Sequence, residues 1–212
     1  MFKSIIKFFQ IFFKKKDENE QGVVCELENG PSRPRGVIID SIDYDEYEEP
    51  EIINPDGEKT LFILDDIPDS LTLYRIDFSN IKRRFKKNVD KDFKIVKCVG
   101  ATAGFKAHKF INVEHNKIDY AILDITLGYI KKLNNGEYLE FDGVDIAIDI
   151  LEDNPDAKIL FSTAHTLNKR NPTMKYYFEK FENNTGKKIE DHYLHKNSER
   201  VTPIKGLLYG GS

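Results

Sequence analysis

Five polar residues end runs that are otherwise apolar: Asp65 and Asp66 after LFIL, Asp124 after YAIL, Thr163 after KILFS and Lys196 after DHYLH. Three carboxylates gathered in one crevice repel one another, and a divalent cation relieves that repulsion. A small site of oxygen ligands with open water positions suits Mg²⁺. A lysine and a hydroxyl on the facing side suit the oxygens of a phosphoryl group. Singly, each residue says little, since an Asp-Asp pair is commonly a solvated loop or helix cap and a lysine after a strand is commonly surface. Their order and spacing carry the signal.

The elements that must position them follow from periodicity. Residues 61–66, 93–99, 120–124, 158–163 and 191–195 are short apolar runs bounded by polar turns, the pattern of strands buried on both faces of a parallel sheet. Between them, residues 69–87, 103–115, 142–151 and 172–183 read as helices, and 198–208 closes the chain as a last one. This β-α alternation predicts an α/β fold, an open parallel sheet covered on both faces. Ligands of such sheets gather at the C-terminal ends of the strands, near the point where strand order reverses. All five polar residues belong there.

Composition frames this domain. The 212 residues carry 40% apolar and 32% charged side chains, a globular profile, and a net charge of −4 that argues against nucleic acid as main partner. That total hides an asymmetry: residues 1–16 sum to +5, 17–58 to −12 and 59–212 to +3. Residues 1–16 place Phe2, Ile5, Ile6, Phe9, Phe12 and Phe13 near one face of a basic amphipathic helix, which could lie on a membrane surface, pack on the domain or pair with another helix. Residues 17–58 are acidic, with Pro31, Pro34, Pro50 and Pro55, and read as a mostly irregular linker, with room for one short docking strand. The acidic stretch 40–51 could contact the lysines of 1–16. Cys25 and Cys98 lack metal-ligand spacing and fit unpaired thiols in a reducing compartment. Without an apolar span of membrane length or a cleavage signal, the expected location is cytoplasmic, with a peripheral place on the inner membrane face if 1–16 binds lipid.

Together, the five residues resemble the receiver domain of two-component response regulators, over nearly all of residues 59–209. Asp65 and Asp66 match its acidic metal-binding pair, Asp124 in AILDI its phosphoacceptor, Thr163 in FSTAH its hydroxyl residue and Lys196 its lysine. Tyr193 matches its aromatic switch position, and Asp142-Gly143 the "DG" that opens its third helix. The resemblance implies a (βα)5 doubly wound, flavodoxin-like sheet with strand order 2-1-3-4-5. It also implies Mg²⁺ held by Asp65, Asp66, Asp124 and the backbone carbonyl of Thr126. The phosphoryl group would come from a sensor histidine kinase or phosphotransfer protein, with Thr163 and Lys196 on its oxygens and Tyr193 rotating in response. Output would run through protein contacts, because the chain ends too soon after Lys196 for a DNA-binding module. The family's dimer surface, the fourth helix with the fifth strand, makes a homodimer an expectation.

Three features depart from the family. Gly128 stands where a proline is usual, and a stretch over 129–141, with Asn134-Asn135-Gly136 at its middle, reads as an inserted hairpin. Asn197 stands where a proline commonly follows the lysine, and the segment from Thr163 to Lys196 is longer than usual by about ten residues. It carries His165, read as a loop histidine or a group that positions water. Two other readings remain at this stage. One is a receiver-like interaction module that is never phosphorylated. The other is a haloacid-dehalogenase-like phosphatase, to whose first motif DITLG is similar, although that family places its nucleophile before its acidic pair.

Overall fold

Period-two burial organises the chain. In β2 (Thr60–Asp65) Leu61 and Ile63 point to one face of the sheet and Phe62 and Leu64 to the other, and all four are fully buried. A strand buried on both faces needs helices on both sides. The computed structural model describes residues 47–128, 130–132, 138–164 and 171–210. The basic helix expected over 1–16, the linker up to residue 46, Cys25, the turn at Asn134-Asn135-Gly136 and His165 lie outside these residues.

The parallel strands are β2, β3 (Lys94–Val99), β4 (Tyr120–Leu123), β7 (Lys158–Thr163) and β8 (Tyr193–His195), ordered β3-β2-β4-β7-β8. This is the flavodoxin-like order 2-1-3-4-5 expected from the resemblance. The longer helices are α1 (Ser70–Phe85), α2 (Ala103–His108), α3 (Gly143–Asp153), α4 (Pro172–Thr185) and α5 (Val201–Tyr209), and a single helical turn, Val89–Asp92, precedes β3. Tyr74, Phe78 and Ile81 of α1 meet Ile204 and Leu208 of α5 over Leu61 and Ile63. On the opposite face Phe62 stacks on Phe110 at 6.0 Å, and Phe105 of α2 meets Phe141 edge-on at 5.0 Å. Burial drives the Cys98 thiol pKa well up, so this cysteine is an inert core group.

Helix ends carry local signals. Lys82, Arg83 and Arg84 occupy the last turn of α1, where they complement the helix dipole. Asn171 caps α4 through Thr173 N–H, Pro172 takes the first turn, and Gly186 closes the helix in the left-handed region. Two expected elements differ in detail. The second helix leaves α geometry at Lys109–Val113, a π-helical turn. The fifth parallel strand begins at Tyr193 rather than 191, because Ile189–His192 winds as a 3₁₀ turn that buries Ile189.

Residues 47–58 fall in the stretch expected as a mostly irregular linker with room for one short docking strand. Here β1 (Glu51–Ile53) adds a sixth strand, antiparallel to β3, with Ile52 opposite Val96. Tyr47 is buried and stacks on Phe105 at 5.2 Å. The acids around it pair with lysines of the domain itself: Glu51 with Lys97 at 3.1 Å, Glu48 with Lys106 at 3.2 Å, and Glu49 with Lys109. Composition marked the stretch as acidic and proline-bearing. It could not reveal that the edge of β3 receives the strand, with Lys97 of β3, Lys106 of α2 and Lys109 just beyond α2 meeting its acids. A short hairpin, β5 (Ile130–Lys132) with β6 (Tyr138–Glu140), lies between β4 and α3.

Replacing Tyr47 by Ala removes a buried ring from this strap. The expected cost is about 3 kcal/mol of folding stability, read from urea denaturation of the full chain. An unchanged midpoint would show that the strap contributes nothing to the core.

Candidate functional site

Strand register puts the polar ends together. Leu64 pairs with Leu123 across β2 and β4, so Asp65 and Asp124 emerge side by side, and Asp124 N–H donates to Leu64 O at 2.8 Å. One strand further, β7 ends at Thr163, whose carbonyl accepts from Lys196 N–H at 2.9 Å. Lys196 then reaches back over the strand ends. Its Nζ donates to Asp124 Oδ2 at 2.6 Å and lies 2.8 Å from Asp65 Oδ2, an ion pair without hydrogen-bond alignment. Carboxylate oxygens of Asp65, Asp66 and Asp124 all lie within 4.8 Å of one another. Asp65 and Asp124 are buried, while Asp66 is half-buried.

A donor set of three carboxylates at this spacing fits a divalent cation that prefers oxygen ligands. A second observation points the same way. Asp124 Oδ1 is buried and accepts no hydrogen bond among the described residues. A carboxylate oxygen held away from water without a donor is costly unless a ligand meets it. Thr126, two residues on, is half-buried in the loop after β4.

The electrostatics are opposed and finely balanced. Burial raises the Asp124 pKa most, Lys196 pulls it down and Asp65 and Asp66 push it up again, and the net pKa is raised to about 6. For Lys196, burial disfavours the ammonium, yet Asp124 and Asp65 outweigh it and hold the pKa above that of an ordinary lysine. At neutral pH the site thus holds an ionised Asp124 against a firmly charged Lys196.

The loops supply the rest. Gly128 N–H donates to Asp66 Oδ2 at 3.2 Å, a bond that a proline at this position could not make. After β8, Asn197 N–H donates to His195 Nδ1 at 3.1 Å and Ser198 Oγ to His195 O at 2.7 Å. These bonds hold the turn that aims Lys196. Tyr193 is half-buried on β8, lining a groove with Ile159, Leu160, Pro203 and Leu207 rather than facing the carboxylates. Thr163 is fully buried at the end of β7.

The sequence pointed to Gly143 only as the start of a helix, and it held no sign of Tyr74 or Lys180. Gly143, the first residue of α3, packs so closely on the Asp124 carbonyl that a Cβ would lie 1.8 Å from that oxygen, and its N–H donates to Ile125 O at 3.0 Å. Behind Asp65, the Tyr74 phenol is buried, with its pKa raised by burial and then by Asp65. Lys180 of α4 pairs with Asp142 and Asp145 at 2.7 and 2.8 Å. The D-x-x-D spacing at Asp142 was a readable cap signal, but no local pattern marked Tyr74 or Lys180.

No family model matches the chain, and no curated protein is significantly similar to it. The solved structures it resembles are response-regulator receiver domains. One is a response regulator from Burkholderia pseudomallei with a phosphorylated aspartic acid, calcium ion and citrate: 18% identity, TM-score 0.43, covering 71% of this chain and 66% of that one. Another is the BeF3-activated DrrB receiver domain: 14% identity, TM-score 0.42, covering 71% and 97%. A third is a CheY-like receiver domain protein from Methanospirillum hungatei JF-1: 18% identity, TM-score 0.40, covering 69% and 86%.

The raised Asp124 pKa makes a signed prediction. The folded chain binds this proton more tightly than the unfolded chain, whose Asp pKa is about 4. Its stabilising contribution is therefore present below about pH 4 and lost as pH rises through about 6. Without divalent cations, Asp124→Asn should raise stability at pH 7 and flatten the stability profile between pH 4 and 6. A variant less stable than wild type at pH 7 would contradict this balance of charges.

Proposed function

We propose that this protein is a receiver that takes a phosphoryl group on Asp124 from a phosphohistidine of a sensor kinase or phosphotransfer protein. The observation that carries this reading is the joint geometry of Lys196 on one oxygen of Asp124, a second oxygen that is buried without a hydrogen bond among the described residues, and the carboxylates of Asp65 and Asp66 gathered beside that of Asp124. A nucleophile needs a free electron pair, a means of screening incoming negative charge, and no competing proton at neutral pH.

In this reading Asp65, Asp66, Asp124 and the Thr126 carbonyl hold Mg²⁺, which screens charge on the phosphoryl oxygens when bound. A carboxylate oxygen of Asp124 forms the new P–O bond as the P–N bond to the donor imidazole breaks. The electron pair leaves with the imidazole, which takes up a proton. Lys196 moves its charge from the carboxylate to a phosphoryl oxygen, and the Thr163 hydroxyl donates to another. In the same reading Tyr193, half-buried on β8, changes its packing when Thr163 shifts. Ile67, Leu73 and Ile76 are large, exposed apolar side chains, and the first two line a shallow depression with Lys196. A donor protein with an apolar face suits that patch. Among the described residues no helix is long and apolar enough to cross a membrane.

Incubation with acetyl phosphate and Mg²⁺ should add one phosphoryl group, seen by intact mass and removed by hydroxylamine as an acyl phosphate should be. Asp124→Asn should show none. Wild type without an adduct, or an undiminished adduct on the variant, would overturn the proposal. Rapid turnover of a generic phosphate ester would instead favour a phosphatase.

A further inference from the structure

Asp142 and Asp145 form a reciprocal capping box at the start of α3. Asp145 N–H donates to Asp142 Oδ1 at 2.8 Å and Asp142 N–H to Asp145 Oδ2 at 3.3 Å. Two carboxylates so close, one of them almost fully buried, are not stable as neighbours without a cation. The helix dipole offers part of the compensation. The rest comes from a different element: Lys180 of α4 bonds the outer oxygen of Asp142 and pairs with Asp145, with only 18% of its side chain exposed. The ring of Tyr176, one turn earlier on α4, lies 5.6 Å from the same ammonium. Burial lowers the Lys180 pKa, but the two acids outweigh it and leave the net shift upward.

This cluster is continuous with the reacting residue. Asp142 is followed directly by Gly143, whose Cα leaves no space for a side chain against the Asp124 carbonyl and whose N–H holds Ile125 O. The first turn of α3 is thus a wall against which the backbone of Asp124 rests. Whatever moves that turn moves Asp124.

We infer that Lys180 is a positioning residue for Asp124, acting through the Asp142–Asp145 box and Gly143, and that it links the placement of α4 to the reactivity of the strand-end carboxylate. The inference rests on the phosphoacceptor reading above. Linkage is reciprocal: an α4 held in place favours one setting of Asp124, and a change at Asp124 is felt by α4 through the same contacts. In Lys180→Met both acids lose the ammonium they share, the box opens or takes up a proton, and the wall shifts. A displacement well under 1 Å at a nucleophile is enough to slow transfer by about tenfold or more.

Two measurements on the full chain test this. Without any phosphodonor, amide exchange at Asp124, Ile125 and Gly143–Asp145 should quicken in Lys180→Met and return toward wild type in Lys180→Arg, which keeps charge and reach. With acetyl phosphate and Mg²⁺, phosphoryl uptake by Lys180→Met should fall by about tenfold or more, with Lys180→Arg recovering most of the rate. Asp145→Asn, which leaves the Lys180–Asp142 bond, should produce a smaller effect that does not add to that of Lys180→Met; it serves if the methionine variant does not fold. Unchanged exchange at Asp124 and Ile125, or equal losses in Met and Arg variants, would overturn the inference. Wild type that takes no phosphoryl group overturns the phosphoacceptor reading instead, and the exchange measurement still decides the clamp.

Discussion

Negative charge held out of water is the constraint around which this molecule is arranged. Parallel strands buried on both faces deliver their ends into one crevice, and three of the side chains delivered there are carboxylates. Their repulsion must be met from somewhere, and among the described residues one lysine meets it. Lys196 spans Asp65 and Asp124 at once, which is why the β7–β8 pairing and the turn at His195 need to be correct to within a hydrogen bond. One ammonium against three carboxylates leaves a deficit of positive charge. That deficit makes the site receptive to a cation, while burial, with a smaller push from Asp65 and Asp66, keeps the Asp124 pKa raised even with Lys196 in contact.

The same electrostatic logic recurs twice at the periphery. At the start of α3, Asp142 and Asp145 are compensated by Lys180 from the neighbouring helix. On the far side of the sheet, Lys97 is buried in β3 with its ammonium reaching Glu51 of β1. In each case an element is tied to the sheet by completing a charge that the sheet or its helices left unbalanced. Such pairs contribute little net stability when exposed, but breaking a buried one leaves a lone charge in a poor solvent. They act as constraints on which segment goes where.

What could be read from the chain was what burial dictates. Apolar runs ending in acid at 61–66 and 120–124 announced both the strands and the end at which the chemistry collects, because a charge without a buried partner is driven to the end of a strand buried on two faces. Asp65, Asp66, Asp124 and Lys196 were legible for that reason. Thr163 and Tyr193 took their places from order along the chain. The loops were harder. Gly128 and Asn197 looked like weakened versions of proline positions, yet each uses its N–H, to Asp66 and to His195, in a way proline would forbid. Lys180 was invisible because nothing in the spacing of α4 says which acids it will meet across a helix pair. For the strap at 47–53 the sequence left room for a short docking strand but not its place, since the three lysines that meet its acids lie far off in the chain.

The strap also decides what kind of neighbour the sheet can accept. A parallel sheet ending at β3 would offer a long, regular row of free amides and carbonyls to any extended chain nearby. Here β1 covers it for only three residues, Pro50 precedes it and Pro55 follows it, and Glu51 projects from it. The new margin is short, interrupted and charged, a poor template for further pairing. An acidic stretch that reads as a tether is, in the folded chain, a seal against strand-by-strand self-association.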